Sequence, residues 1–272
     1  MTTAFVLSGG ASLGSIQVGM LQALTEAGVT PDLIVGTSVG ALNGGWLAAR
    51  SEMAGVNALA DLWRSLSRGD VFPTNLYTGF LGFVGRRRSL VSDSGLRRLL
   101  RENLEFHRLE DAPIPLHVVA TDVLTGKDIL LSRGNPIDAI AASAAIPAVL
   151  PPVTIDGRDY IDGGVVNNTP LSHAVSLGAD EIWVLPTGYS CALREAPKGA
   201  LAINQRLAVD VARFEGTVDL RVVPPLCPVR ISPIDFSHSG ELIDRARAQT
   251  LRWLLMPRFK INQADLLEHQ HD

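Results

Sequence analysis

Cysteine is scarce in this chain of 272 residues: there are two, Cys191 and Cys227. A chain long enough to bury a full core does not need a bridge between them, and two scattered thiols fit a reducing compartment. No CxxC pair and no Cys/His ligand cluster occurs, so spacing offers no metal site and no cofactor is expected. Charge of one sign is scarce as well. Lys plus Arg number 24 against 28 Asp plus Glu, the formal net charge is −4, and no run of like charge is longer than Arg86-Arg87-Arg88. A nucleic-acid partner finds no basic footprint there. With 46% hydrophobic residues, 19% charged residues and a mean hydropathy of +0.19, disorder is excluded. Size scaling buries about 70% of the extended chain's surface, enough for one large α/β domain over 1–272. Long hydrophobic runs are missing too. Residues 1–25 carry no charged side chain, but Ser8-Gly9-Gly10 and Gly14-Ser15 break the stretch, unlike a signal peptide or a membrane span. The expected location is the cytoplasm.

What is present is a repeated grammar of short apolar strand, glycine turn and helix. Ala4-Phe5-Val6-Leu7 stops at Ser8-Gly9-Gly10, after which Ile16, Met20, Leu24 and Ala27 recur at helical spacing. Leu33-Ile34-Val35 is apolar on both faces, as buried parallel strands are, and Gly36-Thr37-Ser38-Val39-Gly40 leads into small residues. Further helices are predicted around Val56 to Leu66, after Ser92-Asp93, over Ile137 to Ala145, from Pro170, and along Leu242 to Trp253. Strands are predicted at 116–120, 129–131 and 181–185, with a hairpin turning at Asp156-Gly157. Strands alternating with helices imply right-handed crossovers and a mostly parallel sheet covered on both faces. Residues 188–199 read as a surface loop. Residues 72–90 mix Phe72, Tyr77, Phe80, Leu81, Phe83 and Val84 with glycines and three arginines. Two readings stand: a loop tucked on the core, or an apolar flap in which Phe80, Leu81 and Phe83 touch an acyl chain or a lipid surface.

The turn Gly36-Thr37-Ser38-Val39-Gly40 is G-x-S-x-G between a buried strand and a helix. Only glycine fits the flanking positions of so tight a turn, which lifts the serine hydroxyl from the sheet while the helix start aims N–H groups at a developing anion. Serine needs a base, and histidine is the usual one. Of the six histidines, His173 and His238 alone follow Ser38 in suitable contexts. Asp162 is the better candidate. It ends a strand, and Gly163-Gly164 behind it let another backbone approach. A turn aspartate bonding its own backbone is the competing reading. With a reference pKa of about 3.9, a base role requires burial or a direct bond to the serine.

Gly9-Gly10-Ala11-Ser12-Leu13-Gly14 also joins strand to helix. It lacks the middle glycine of a dinucleotide fingerprint and the lysine of a phosphate loop. Backbone donors forming an oxyanion hole fit better, each worth about 3 kcal/mol of barrier. A turn that eases helix packing is the alternative.

In this order the three segments resemble the patatin-like phospholipase family, whose signature is a glycine-rich oxyanion loop, a G-x-S-x-G serine and a D-G-G or D-G-A aspartate. The likeness spans most of residues 4–187 and includes LSGGASLGSIQVGML, LIVGTSVGALNGGWLAA, ATDVLTGKDILL, ASAAIPAVLPPV and YIDGGVVNNTP. It implies a three-layer α/β/α sandwich, a Ser38–Asp162 dyad without catalytic histidine, Gly9, Gly10 and Ala11 as oxyanion donors, and hydrolysis of acyl esters in lipids. Gly14, Gly36, Gly40, Gly163 and Gly164 are its motif glycines. Two positions depart from the family pattern. Ala11 replaces a usual glycine, so donation there requires negative φ or little strain. Leu13 replaces a usual Arg or Lys, which removes a charge suited to phosphate head groups. The rival functions are an esterase with His173 or His238 as base, and a non-catalytic module binding a lipid or a protein partner.

Overall fold

The computed structural model describes residues 1–72, 91–188, 198–226, 229 and 231–256, without the side chains of 198–205. Cys191, Cys227, Phe80, Leu81 and Phe83 therefore lie outside the described residues. So do most of the loop expected at 188–199 and of the flap expected at 72–90.

The first two units form as the sequence predicts. β1 (Thr3–Leu7) leads through a 3-10 turn at Ala11–Leu13 into α1 (Gly14–Glu26), and β2 (Leu33–Thr37) leads into α2 (Val39–Ala49). α3 (Met53–Ser65), the single turn α4 (Arg68–Val71) and α5 (Ser94–Asn103) follow. β3 (Leu116–Asp122) and β4 (Asp128–Leu131) turn back on each other, and α6 (Pro136–Ser143) begins where Asn135 accepts hydrogen bonds from the Ile137 and Asp138 amides. β5 (Val153–Ile155) and β6 (Arg158–Asp162) make the expected hairpin, with Asp156 and Gly157 both at positive φ. α7 (Leu171–Ser176), β7 (Glu181–Leu185), α8 (Lys198–Phe214), β8 (Asp219–Val222) and α9 (Ser239–Leu254) complete the described elements. α8 and β8 were not predicted, and Lys198 opens a helix where a loop was expected.

The eight strands share one sheet, hydrogen-bonded in the order β5-β6-β3-β2-β1-β7-β8 with β4 also on β3. β1, β2, β3, β7 and β8 run parallel. Successive residues of a strand face opposite sides, and β1 shows what that produces. Phe5 and Leu7 join Ile16, Leu21, Trp63 and Leu242 in one core, while Ala4 and Val6 join Leu171, Ala174, Leu207 and Val211 in another. Helices thus cover both faces, and the architecture is the expected α/β/α sandwich.

One detail of register positions the site. Val118 and Val119 pair with β2 and with β4, while Ala120 and Thr121 pair with β4 and with β6. A strand has two edges, so β2 and β6 occupy the same edge of β3, one after the other. Thr37 sits opposite Val119 and Asp162 opposite Ala120. β6 runs antiparallel to β3, so the final residue of β6 meets the end of β2 head to head.

Candidate active site

Ser38 follows the last residue of β2 and holds φ 55°, ψ −123°, a conformation that turns the chain sharply into α2. Such a backbone costs of order 1–3 kcal/mol for a non-glycine residue and persists only where its surroundings enforce it. Here a methyl group on Gly40 would lie 2.2 Å from the Leu7 carbonyl oxygen, so α2 packs directly on the end of β1. The Ser38 N–H donates to Ser143 Oγ at 2.7 Å, and Ser143 in turn donates to the Val119 carbonyl at 2.6 Å. Thr37 Oγ1 donates to the Asn167 carbonyl at 3.0 Å. Ser143 and Asn167 brace the turn, and neither was singled out from the sequence. An isolated buried hydroxyl or amide has no pattern to give it away.

Ser38 Oγ donates to Asp162 Oδ2 at 2.7 Å, across 124 positions of sequence. The other carboxylate oxygen accepts the Gly164 N–H at 2.7 Å. The two contacts coexist: one oxygen satisfies its own turn, and the other meets the serine. Close approach explains Gly163, where a Cβ would fall 2.2 Å from the Val119 carbonyl oxygen. Ser38 and Asp162 are each only 7% exposed. Burial pushes the Asp162 carboxyl up to about 6, against the opposing pull of the hydrogen bonds from Ser38 and Gly164.

The glycine loop after β1 lies alongside. A methyl on Gly9 would come within 3.2 Å of Ser38 Cβ. The Gly9 N–H, expected as an oxyanion donor, instead donates to the Asn168 carbonyl at 3.0 Å, and the Ser12 N–H donates to the Pro233 carbonyl. Among the described residues, the Gly10 and Ala11 N–H groups have no acceptor. The Gly9 carbonyl accepts from Thr187 Oγ1 and from Asn168 Nδ2, which pins the loop. Ala11 lies at φ 50°, so the negative φ that an alanine would favour is not adopted. The loop takes the backbone path glycine would take and bears the strain. Leu13 is buried in the core and presents no charge to the site.

Neither histidine reaches the serine's proton acceptor. His173 Nε2 bonds Asp128 Oδ2 at 2.8 Å, where Asn167 Nδ2 also donates. Burial alone would raise the Asp128 carboxyl, but those two bonds outweigh it and hold it below its usual value. His238 precedes α9 at the surface, between Asp235 and Glu241. The rival reading of an esterase with His173 or His238 as base would need an imidazole at Ser38 Oγ, where a carboxylate stands. No group of three or more His, Cys, Asp or Glu among the described residues is arranged to hold a metal ion.

An apolar cavity opens at Ser38, with about 480 Å³ of empty space including its open mouth. Ala11, Val39, Leu42, Phe72, Leu96 and Phe236 are among its lining residues, and among the described residues no charged side chain lines it.

The family model described as patatin-like phospholipase matches residues 5–175, the span that holds all three segments. The chain belongs to the patatin-like phospholipase family. Among curated members, patatin-like phospholipase domain-containing protein 7 of Rattus norvegicus is 29% identical over 187 residues, covering 68% of this chain and 13% of that protein. An uncharacterized NTE family protein of Mycobacterium bovis is 34% identical over 182 residues, covering 65% of this chain and 46% of that protein. The chain spans less than half the length of these curated relatives. The crystal structure of VipD from Legionella pneumophila shares the fold, with a TM-score of 0.52 and 16% identity over 93% of this chain and 66% of that one. No helix among the described residues of this patatin-like chain is long and apolar enough to cross a membrane.

Proposed function

We propose that this patatin-like chain is a serine acyl hydrolase that cleaves acyl esters of lipids through Ser38 and Asp162. The observation that carries the reading is the 2.7 Å bond from Ser38 Oγ to a buried carboxylate, at the mouth of an apolar cavity. Ser38 Oγ attacks the ester carbonyl carbon as its proton passes to Asp162 Oδ2. The oxyanion of the tetrahedral intermediate accepts hydrogen bonds from the Gly10 and Ala11 amides, the two left without acceptors among the described residues. Collapse expels the alcohol, which takes the proton from Asp162 and leaves Ser38 acylated. Water then attacks the acyl carbonyl, giving its proton to Asp162, and the acid departs as Ser38 recovers its hydroxyl.

Burial makes this carboxylate a stronger base than one in water, and a value of about 6 places it near the pH at which general bases work best. The apolar cavity suits a hydrocarbon acyl chain, and buried Leu13 offers nothing to a phosphate, so the reading rests on the acyl group and not on a head group. The substrate class is a lipid or other acyl ester, met at a membrane surface or in solution.

The test is labelling with a fluorophosphonate probe alongside hydrolysis of aryl esters, neutral glycerides and phospholipids. Wild-type protein is expected to label and turn over, and Ser38→Ala to lose both, with a fall of about 10³-fold or more in kcat. Failure of folded wild-type protein to label would sink the proposal.

A further inference from the structure

A second apolar cavity lies behind the first. It is lined by Leu59, Leu62, Leu100 and Leu104 among others, and by four residues that also line the cavity at Ser38: Leu42, Trp63, Leu66 and Leu99. A wall one side chain thick therefore divides the two spaces. The cavities follow one another along the helices. On α2, Ser38 and Val39 border the first, Leu42 both, and Asn43 and Trp46 the second. On α5, Leu96 borders the first, Leu99 both, and Leu100 and Asn103 the second. At the helical rise per residue, the wall at Leu42 stands about 6 Å from Ser38 along α2 and the far end at Trp46 about 12 Å.

The wall is unequal. Trp63 is fixed, because its indole N–H donates to Asn43 Oδ1 at 2.9 Å and its ring stacks on Phe236 with centroids 6.0 Å apart. Leu42, Leu66 and Leu99 are only partly buried, and each has rotamer freedom that a stacked indole lacks. Among the described residues, the side-chain oxygen of Asn103 is the one polar side-chain atom of the second cavity's lining left without a hydrogen bond. Asn43 already bonds the Gly14 carbonyl, Gln17 Oε1 and Trp63, and the Asn103 amide nitrogen bonds the Leu99 carbonyl. With leucines making up most of the lining, the cavity suits a hydrocarbon occupant reaching it from Ser38.

Building on the acyl hydrolase reading, we propose that the three leucines are the length gauge of the enzyme. A short acyl chain ends against them in the first cavity, and a longer one is admitted to the second only as they move aside, Leu42 on α2 and Leu99 on α5 each bordering both spaces. Each methylene that finds an apolar wall raises kcat/KM by about fourfold, and that gain stops where the chain meets the divider.

The experiment measures kcat/KM for nitrophenyl esters from butanoyl to hexadecanoyl. In Leu99→Ala the decanoyl-to-hexanoyl ratio is expected to rise about tenfold over wild type, and in Leu99→Trp to fall below it. Leu66→Ala, just past the end of α3, repeats the first change if Leu99→Ala does not fold. Ratios unchanged in variants with wild-type Tm would overturn the gauge. A readout independent of turnover uses Ser38→Ala protein, with and without Leu99→Ala, titrated calorimetrically with hexanoate and decanoate. Decanoate is expected to gain affinity relative to hexanoate when Leu99 is truncated, and no such gain would overturn the gauge. Ester hydrolysis persisting in Ser38→Ala would instead defeat the Ser38 reading, with the titration still deciding the gauge.

Discussion

The turns after β1 and β2 stand at neighbouring strand ends, and each holds one non-glycine residue in the left-handed region: Ala11 at φ 50° and Ser38 at φ 55°. They differ in what holds them there. Ser38 is braced by Ser143 at its amide, by Asp162 at its hydroxyl and by α2 pressed on the Leu7 carbonyl. Around Ala11 the supports act on its neighbours, Asn168 and Thr187 on Gly9 and Pro233 on Ser12, while the Ala11 amide has no acceptor among the described residues. The comparison teaches that backbone strain serves opposite ends here. In one turn it fixes a side chain in place, and in the other it holds main-chain donors open.

The most damaging way to break this comparison is Gly40→Ala, where the two turns touch. The added methyl would sit 2.2 Å from the Leu7 carbonyl oxygen, and backbone must move. A loss of about 3 kcal/mol or more in chemical denaturation is expected. Next comes Asp162→Asn, which keeps the shape of the brace and removes the carboxylate proposed as base. A fall of about 10²–10⁴ in kcat is expected. In the wild type, kcat/KM should fall as pH drops through about 6, where Asp162 takes up a proton. Stability runs the other way. A carboxyl raised from 3.8 to about 6 in the fold binds more protons than in the unfolded chain, so stability declines as pH climbs across that window. Asp162→Asn removes that decline, so its Tm should gain on the wild type at pH 7 relative to pH 4, by up to about 3 kcal/mol in equivalent free energy. Lowered carboxyls such as Glu110 act in the opposite sense but alike in both proteins, so a difference between Asp162→Asn and wild type that stays constant from pH 4 to pH 7 would refute the raised carboxyl. The mildest change is Ala11→Gly, which relieves strain in the first turn alone. A gain of under about 1 kcal/mol is expected in the same denaturation measurement, because glycine's greater freedom in the unfolded chain offsets part of the relief.

Much of this was legible in residue order. The runs at 4–7 and 33–35, each ended by glycines, gave the parallel pair and its turns, because a buried strand cut short by glycine has few other folds. Ser38 and Asp162 announced themselves by their flanking glycines, which are visible even when the partner across the site is not. Which amides stay open was not legible. Gly9 and Gly10 look alike in sequence, yet only Gly9 meets the Asn168 carbonyl, a long-range pairing without local signature. α8 escaped because its apolar periodicity is blurred by residues such as Val209, which is 63% exposed. β8 is four residues long, with Asp219 and Arg221 alternating against Leu220 and Val222, too short to stand out. His173 on α7 looked available until Asp128, from β4, was seen to hold it.

The end-to-end placement of β2 and β6 along one edge of β3 makes turnover hostage to strand alignment. A slip of the β5–β6 hairpin by two residues preserves which side chains face inward, yet it breaks most of the three-residue ladder with β3 and, at about 3.3 Å per residue, carries the carboxylate some 6–7 Å from the hydroxyl. Under the proposed mechanism a molecule misaligned in this way would be chemically silent, so hydrolysis would report on registry with a sharpness that no measure of compactness matches.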